Sequence, residues 1–331
     1  MRIGAVEVPG RVWVAPMSGV SDLPFRRMAV AEGAGYVATE MVACAQFAQG
    51  RPDVVRRAAV GEGLPLMIVQ LVGRDRGWVA LAARLAERAG AQIVDLNFGC
   101  PAKEVTGAQC GSALMRELDL AQSLVEAAVQ AVDASVTVKM RLGWEEADRN
   151  APELAQRAQA AGAKAVTVHG RTRNQFYSGK ADWGAVAAVK AAVSIPVVVN
   201  GDIVDAACAM AAMAASGADA VMIGRAAIGR PWLAAMIEAG LAGRDWSEPG
   251  PAERADMAVR QLADSLELYG DHLGLRMFRK HLAAYVEAAP WPAEPGERRA
   301  ARASLCRMET PAEVETGLCR LWNVAAARRA A

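Results

Sequence analysis

Histidine is nearly absent from this chain, with 3 in 331 residues, and aromatic residues make up only 5%. Cysteine is sparse as well. The six (Cys44, Cys100, Cys110, Cys208, Cys306 and Cys319) contain no CxxC pair. Disulfide frameworks belong to short secreted chains, so the thiols are expected to be reduced and the compartment cytoplasmic. An excess of one charge is also lacking: 37 Lys and Arg against 36 Asp and Glu leave a net charge of +1. That excludes a polycation but not a local basic face. No uncharged apolar run reaches the roughly 18 residues of a membrane helix, and MRIGAVEVPGRV lacks the apolar stretch of a signal peptide. No membrane partner and no obligate protein partner are expected.

What is present is apolar. Hydrophobic residues make up 53% and charged residues 22%, the composition of a globular protein with a sizeable core. The length suits one large α/β domain and a smaller one. Four times an Ala-rich helical stretch ends in a glycine turn and passes into a β-branched run, at 31–40, 86–97, 158–170 and 214–224. Gly35, Gly90, Gly162 and Gly217 fall where a helix C-cap wants positive φ. Val12–Ala15, Leu66–Gln70, Val136–Arg141 and Pro196–Asn200 have the same look. Eight buried strands alternating with helices predict a parallel sheet closed as a (β/α)8 TIM barrel over residues 1–240. An open doubly wound sheet is the rival, but APMSGVSD after the first strand is not its Gly-rich phosphate loop. Ile3–Val8 is expected to form a hairpin that plugs the barrel bottom. The stretch GRDWSEPGPAER reads as a linker. Beyond it, Ala252–Tyr269, Leu275–Glu287 and Arg298–Ala327 predict an all-helical C-terminal domain over 241–331.

In such barrels the chemistry sits where strands end, and most of these strands end in polar residues: Gln70, Asp95 and Asn97, Lys139 and Arg141, His169, Asn200 to Asp202, Gly224 and Arg225. Side chains alternate along a strand, so Asp95 shares a face with Asn97, and Lys139 with Arg141. A lysine aimed into a barrel mouth needs an anionic or polar ligand to offset its desolvation. The loops after the last two strands are the common phosphate site of the fold, and here they carry NGD and IGRA. Arg225 can pair with phosphate bidentately. With Lys139 and His169 on the same mouth, a flavin mononucleotide is the expected ligand, although His169 could instead be a satisfied barrel histidine.

Cys100 lies three residues past the fourth strand, between Gly99 and Pro101, in a loop that overhangs the mouth. Cys44 and Cys208, on apolar helical stretches, have the setting of inert structural thiols. No second Cys or His stands at metal-ligand spacing, so a metal is disfavoured. A nucleophile would want a base such as His169. A general acid needs only to keep its proton. Patterning alone leaves these two open, and Cys110 is a further thiol in the same region.

At these residues the chain resembles the bacterial tRNA-dihydrouridine synthases, nearest the B-type branch. The ordered set VAPMSGVSD, MIVQLVG, DLNFGCPAKEV, VKMRLGW, TVHGRTRNQFYSGKADW, VVNGDI and VMIGRAAIGRPW carries the likeness along nearly the whole chain. The resemblance implies an FMN enzyme, reduced by NADPH, that converts uridine in tRNA to dihydrouridine. It implies that Pro16, Met17, Ser18, Gln70, Lys139, His169, Asn200, Gly201, Asp202, Gly224 and Arg225 hold FMN. Cys100 would protonate C5 of the uracil, with Asn97, Arg141 and Arg171 on the substrate side. The C-terminal helices would bind tRNA through the cluster 276–281, above all Arg279 and Lys280, extended by Arg298, Arg299, Arg302 and Arg328-Arg329. The loop after Pro101, AKEVTGAQCG, is less basic than in relatives. The alternatives are a flavin reductase or dehydrogenase of a free pyrimidine or other small molecule, and a non-catalytic RNA-binding protein on the same fold.

Overall fold

The structure is a computed structural model that describes residues 1–59, 61, 64–289 and 294–322. A short antiparallel hairpin, β1 (Arg2–Ile3) and β2 (Val6–Glu7), precedes eight parallel strands. These are β3 (Val12–Val14), β4 (Ala38–Ala43), β5 (Ile68–Val72), β6 (Ile93–Phe98), β7 (Ser135–Arg141), β8 (Ala165–His169), β9 (Val197–Asn200) and β10 (Ala220–Ile223). From β4 to β10 each pairs with its sequence neighbours, and β10 returns to β3. The barrel closes where Val14 bridges Val37 and its N–H reaches the Tyr36 carbonyl at 2.8 Å. The expected TIM barrel is the fold observed.

Alternation divides the core. Val69, Val94, Val138, Val168 and Val199 face outward and pack under the helices. Trp13, Ile68, Ile93, Val198 and Met222 face inward and fill the lower barrel, where Ile3 and Val8 from the hairpin close it. The upper barrel is polar, because the inward positions there are Gln70, Asp95, Thr137, Lys139 and Asn97. Register places Asn97 beside Lys139 and Arg141 beside His169, which is itself beside Asn200.

One turn differs from expectation. Gly33, at φ 95°, takes the left-handed position after the Leu23–Ala31 helix, and Gly35 does not. Gly35 is required for space instead: a Cβ there would stand 2.2 Å from the Pro9 carbonyl oxygen.

Past the barrel lie the helices Pro251–Tyr269, Asp271–Ala288, Pro295–Leu305 and Pro311–Leu321, around a second apolar cluster that includes Leu262, Phe278, Leu282, Tyr285 and Leu318. The single helix expected over 298–327 is broken. Thr310 accepts the Glu313 N–H and Glu313 accepts the Thr310 N–H, a capping box followed by Pro311 that starts a new helix. Residues 323–327 of that expected helix, and Arg328 and Arg329, lie outside the described residues. The helices dock on the loop after β3: Tyr269 donates to Asp22 at 3.2 Å, Lys280 Nζ reaches the Gly19 carbonyl at 3.3 Å, and His281 stacks 5.5 Å from Phe25.

Candidate active site

The strand C-terminal ends surround a cavity of about 690 Å³, within the range of small-molecule and cofactor sites. Its wall contains Pro16, Met17, Ser18, Asn97, Cys100, Lys139, Arg141, His169, Arg171, Asn200, Gly201, Asp202, Gly224 and Arg225. Four of these are cationic side chains, and Asp202 is the single carboxylate. The imbalance shows on the neighbours. Burial, with Lys139, Arg141, Arg171 and Arg225 around it, holds His169 well below the usual imidazole range, so the ring is neutral at pH 7. Burial and Arg141 bring Lys139 down to about 8 despite Asp95. A site built this way favours a polyanionic ligand.

Several expected residues have work inside the protein. Arg171 makes a paired contact with Asp202, at 2.6 and 3.0 Å, and also donates to the Ser178 and Gly179 carbonyls. Its guanidinium is spent on holding the loop after β8. Arg141 does similar work: Nε donates to the Gly99 carbonyl, and Nη1 to those of Thr172 and Phe176. Arg225 is exposed at the rim, its guanidinium 4.7 Å from the Tyr177 ring centre. Lys139 Nζ donates to Asn200 Oδ1 at 3.1 Å, and Asn200 is anchored to the Met222 carbonyl. Gln70 is fully buried and does not reach the cavity wall; its amide bonds Asp95 and Asn97 beneath the floor.

Cys100 is clamped from both sides. Its N–H donates to Asn97 Oδ1 at 2.9 Å, and its carbonyl accepts the Ser112 hydroxyl at 2.8 Å. Burial raises the thiol above its ordinary pKa against the pull of the Ala102 backbone, Arg141 and Lys139, so it is protonated at neutral pH. Cys110 is not on the cavity wall; its thiol donates to the Ala108 carbonyl at 3.3 Å.

The sequence reading overlooked Phe176 and Tyr177, both exposed and both on the rim. Two adjacent aromatics in a polar loop were the available signal, in a chain with only 5 Phe and 4 Tyr. It also overlooked Glu40, whose carboxylate accepts the Gly19 N–H. In the C-terminal helices the expected cluster separates. Arg276 and Lys280 are exposed, whereas Phe278 and His281 are core. Arg279 donates to the Met308 carbonyl at 3.1 Å. Arg298 caps the Asp271–Ala288 helix through the Val286, Glu287 and Ala289 carbonyls, and Arg302 pairs with Glu287.

Polar groups gathered where parallel strands end, above an apolar plug, are how barrel enzymes are built, and fold and site together assign the chain to that class. Comparison narrows it. The family model for dihydrouridine synthase (Dus) matches residues 13–317, and the chain belongs to that family, as its motifs implied. It is 52% identical over 284 residues to a probable tRNA-dihydrouridine synthase of Rhodobacter capsulatus, covering 85% of this chain and 87% of that one. It is 42% identical over 313 residues to tRNA-dihydrouridine synthase B of Xanthomonas axonopodis pv. citri, covering 94% and 92%. Among solved structures, histamine dehydrogenase from Rhizobium sp. 4-9 shares the fold with a TM-score of 0.58 at 18% identity. That match covers 80% of this chain and 50% of the other. Among the described residues no helix is long and apolar enough to cross a membrane.

Proposed function

We propose that this protein reduces uridine in tRNA to dihydrouridine, using FMN recharged by NADPH, with Cys100 as the proton donor. The observation that carries the proposal is the Cys100 thiol, half-buried on a backbone held by Asn97 and Ser112, at a cavity lined by four cations and one carboxylate. FMN fits that donor set. Lys139 and Asn200 would meet the ring system, and Gly201, Gly224 and Arg225 the phosphate end, with Pro16, Met17 and Ser18 along one side. Asp202, held by Arg171, would accept from hydroxyls of the ribityl chain. Gln70, which does not reach the cavity, would act only through Asn97.

Bound there and reduced by NADPH, the flavin would supply a hydride to C6 of the uracil. The rest is done by side chains. Cys100 gives its proton to C5, so that one hydride and one proton saturate the double bond. Neutral His169 adds no charge beside the ring system. The target base must leave the folded RNA to reach the cavity, so extrusion is part of binding. Arg141 and Asn97 then act mainly by fixing the Gly99–Cys100 backbone. Asn97 keeps one amide hydrogen for the uracil.

We assign RNA docking to the C-terminal region 241–331, with the exposed Arg276 and Arg299 as its contacts, while Lys280 is held by the Gly19 carbonyl. Arg279 and Arg298 serve the fold of that region. A tRNA substrate places the work in the cytoplasm.

The test is reconstitution: FMN-loaded protein, NADPH and an unmodified tRNA transcript, with dihydrouridine mapped by mass spectrometry and free uracil run alongside. Dihydrouridine at a defined position supports the proposal. Turnover of uracil with none of tRNA replaces it with a small-molecule reductase.

A further inference from the structure

Beneath the cavity floor sits a buried carboxylate that the chemistry above does not use. Asp95 is 3% exposed, and both its oxygens are engaged. Thr137 Oγ1 donates to Oδ1 at 2.7 Å, and Gln70 Nε2 donates to Oδ2 at 2.6 Å. A carboxylate only accepts. Gln70 must therefore turn its NH2 toward Asp95 and its carbonyl oxygen away, where it accepts Asn97 Nδ2 at 2.8 Å. That choice fixes Asn97 in turn. Its Oδ1 faces the loop and accepts the N–H groups of Gly99 at 3.1 Å and Cys100 at 2.9 Å.

An amide has a donor side and an acceptor side, and nothing in Gln70 or Asn97 alone decides which way each points. Asp95 decides at the Gln70 end, and the two loop N–H groups, which can only donate, agree with it at the Asn97 end. Ser112 and Arg141 hold the carbonyls of Cys100 and Gly99 but leave the two N–H groups to Asn97. We infer, on the reading that Cys100 is the proton donor, that Asp95 is a positioning residue. Its acceptor-only carboxylate sets the polarity of a buried Gln70–Asn97 relay that ends on the Cys100 backbone and aims the thiol.

The inference predicts a reversal that a merely space-filling role does not. Asp95→Asn removes the constraint at one end, so only the two loop N–H groups still hold the relay in its direction. Asn97→Asp keeps an acceptor for the loop but sets oxygen against Gln70 Oε1, a buried mismatch. Combining the two restores every link. The carboxylate at 97 accepts from the loop and from Gln70 Nε2, and Gln70 Oε1 accepts from the amide at 95. One buried charge remains, as in the wild type.

The experiment follows alkylation of Cys100 by iodoacetamide, peptide by peptide, in FMN-loaded protein without tRNA. Single-turnover oxidation of the reduced flavin by tRNA is measured in parallel. Asn97→Asp is expected to change Cys100 alkylation by roughly tenfold and to slow tRNA-dependent oxidation by about 10- to 100-fold. Asp95→Asn alone should show a smaller change. The pair should return toward wild type in Cys100 alkylation and only in part in tRNA-dependent oxidation, because Asn97→Asp gives up the amide hydrogen kept for the uracil. A pair as impaired as Asn97→Asp, or worse, overturns the inference. If Asn97→Asp alone does not fold, a folded pair is the same rescue, and an unfolded pair overturns it. Wild-type protein that reduces no tRNA uridine removes the proton-donor reading, while alkylation still decides whether the relay orients Cys100.

Discussion

Two side chains at the mouth carry opposite protonation problems. As the proposed proton donor Cys100 must keep its proton, and burial helps by raising its pKa. The acid form is therefore present through neutral pH and is lost only as pH rises past the ordinary thiol range. Cys100→Ala is expected to retain bound FMN and slow tRNA-dependent flavin oxidation by about 10²- to 10⁴-fold, read by stopped-flow absorbance. Unchanged rates would remove the thiol from the mechanism. Lys139 has the reverse problem: it is charged in a place that disfavours charge, with a pKa of about 8 against 10.5 for a free lysine. A base depressed on folding binds fewer protons folded than unfolded between those values. Stability of the ligand-free protein should then rise as pH climbs from about 8 to 10.5. Acceptor atoms of a ring system placed against the Lys139 ammonium offset that penalty. FMN should accordingly raise Tm more at pH 7 than at pH 10, and Lys139→Met should flatten the difference. Equal shifts at both pH values in the wild type would place the ring away from Lys139.

At the scale of elements, glycines 33 and 35 separate two reasons for the same residue. Gly33 is needed for its φ of 95°, Gly35 because the Pro9 carbonyl lies where a Cβ would be. Gly33→Ala should cost about 1 kcal/mol of strain. Gly35→Ala, pressing on backbone that cannot give way, should cost about 1–3 kcal/mol and lower Tm further. A reversed order in thermal melts would return the cap to Gly35. The eight strands were legible because a buried parallel strand writes itself as a short β-branched run. The cavity was legible because those runs end in Lys139, His169 and Asn200. Arg141 and Arg171 were harder. An arginine at a strand end can meet a ligand or its own loop, and only coordinates show that five backbone carbonyls around the mouth take these two. The relay of Gln70 and Asn97 was hidden for the same reason, since amide direction is a property of neighbours from three strands.

Across the whole molecule, the helical region touches the loop that bears Pro16, Met17 and Ser18. The Gly19 peptide is held from both sides, its N–H by Glu40 of β4 and its carbonyl by Lys280 of the Asp271–Ala288 helix. The proposed RNA-docking region and the cavity thus share a boundary. Which basic residues face the RNA follows from what each already bonds. Arg276 is exposed on the same helix, whereas Arg279 ties it to the Met308 carbonyl. Each phosphate neutralised releases counterions, so losing one contact should flatten the dependence of log K on log salt by about 0.7–0.9 and weaken binding most at low salt. Arg276→Ala should show that signature in tRNA titrations at several salt concentrations, with an unchanged melt. Arg279→Ala should leave the slope alone and lower the melting temperature, because the helix loses its tie to the turn at Met308. A flattened slope for Arg279→Ala with no loss of stability would move the RNA face to the other side of that helix.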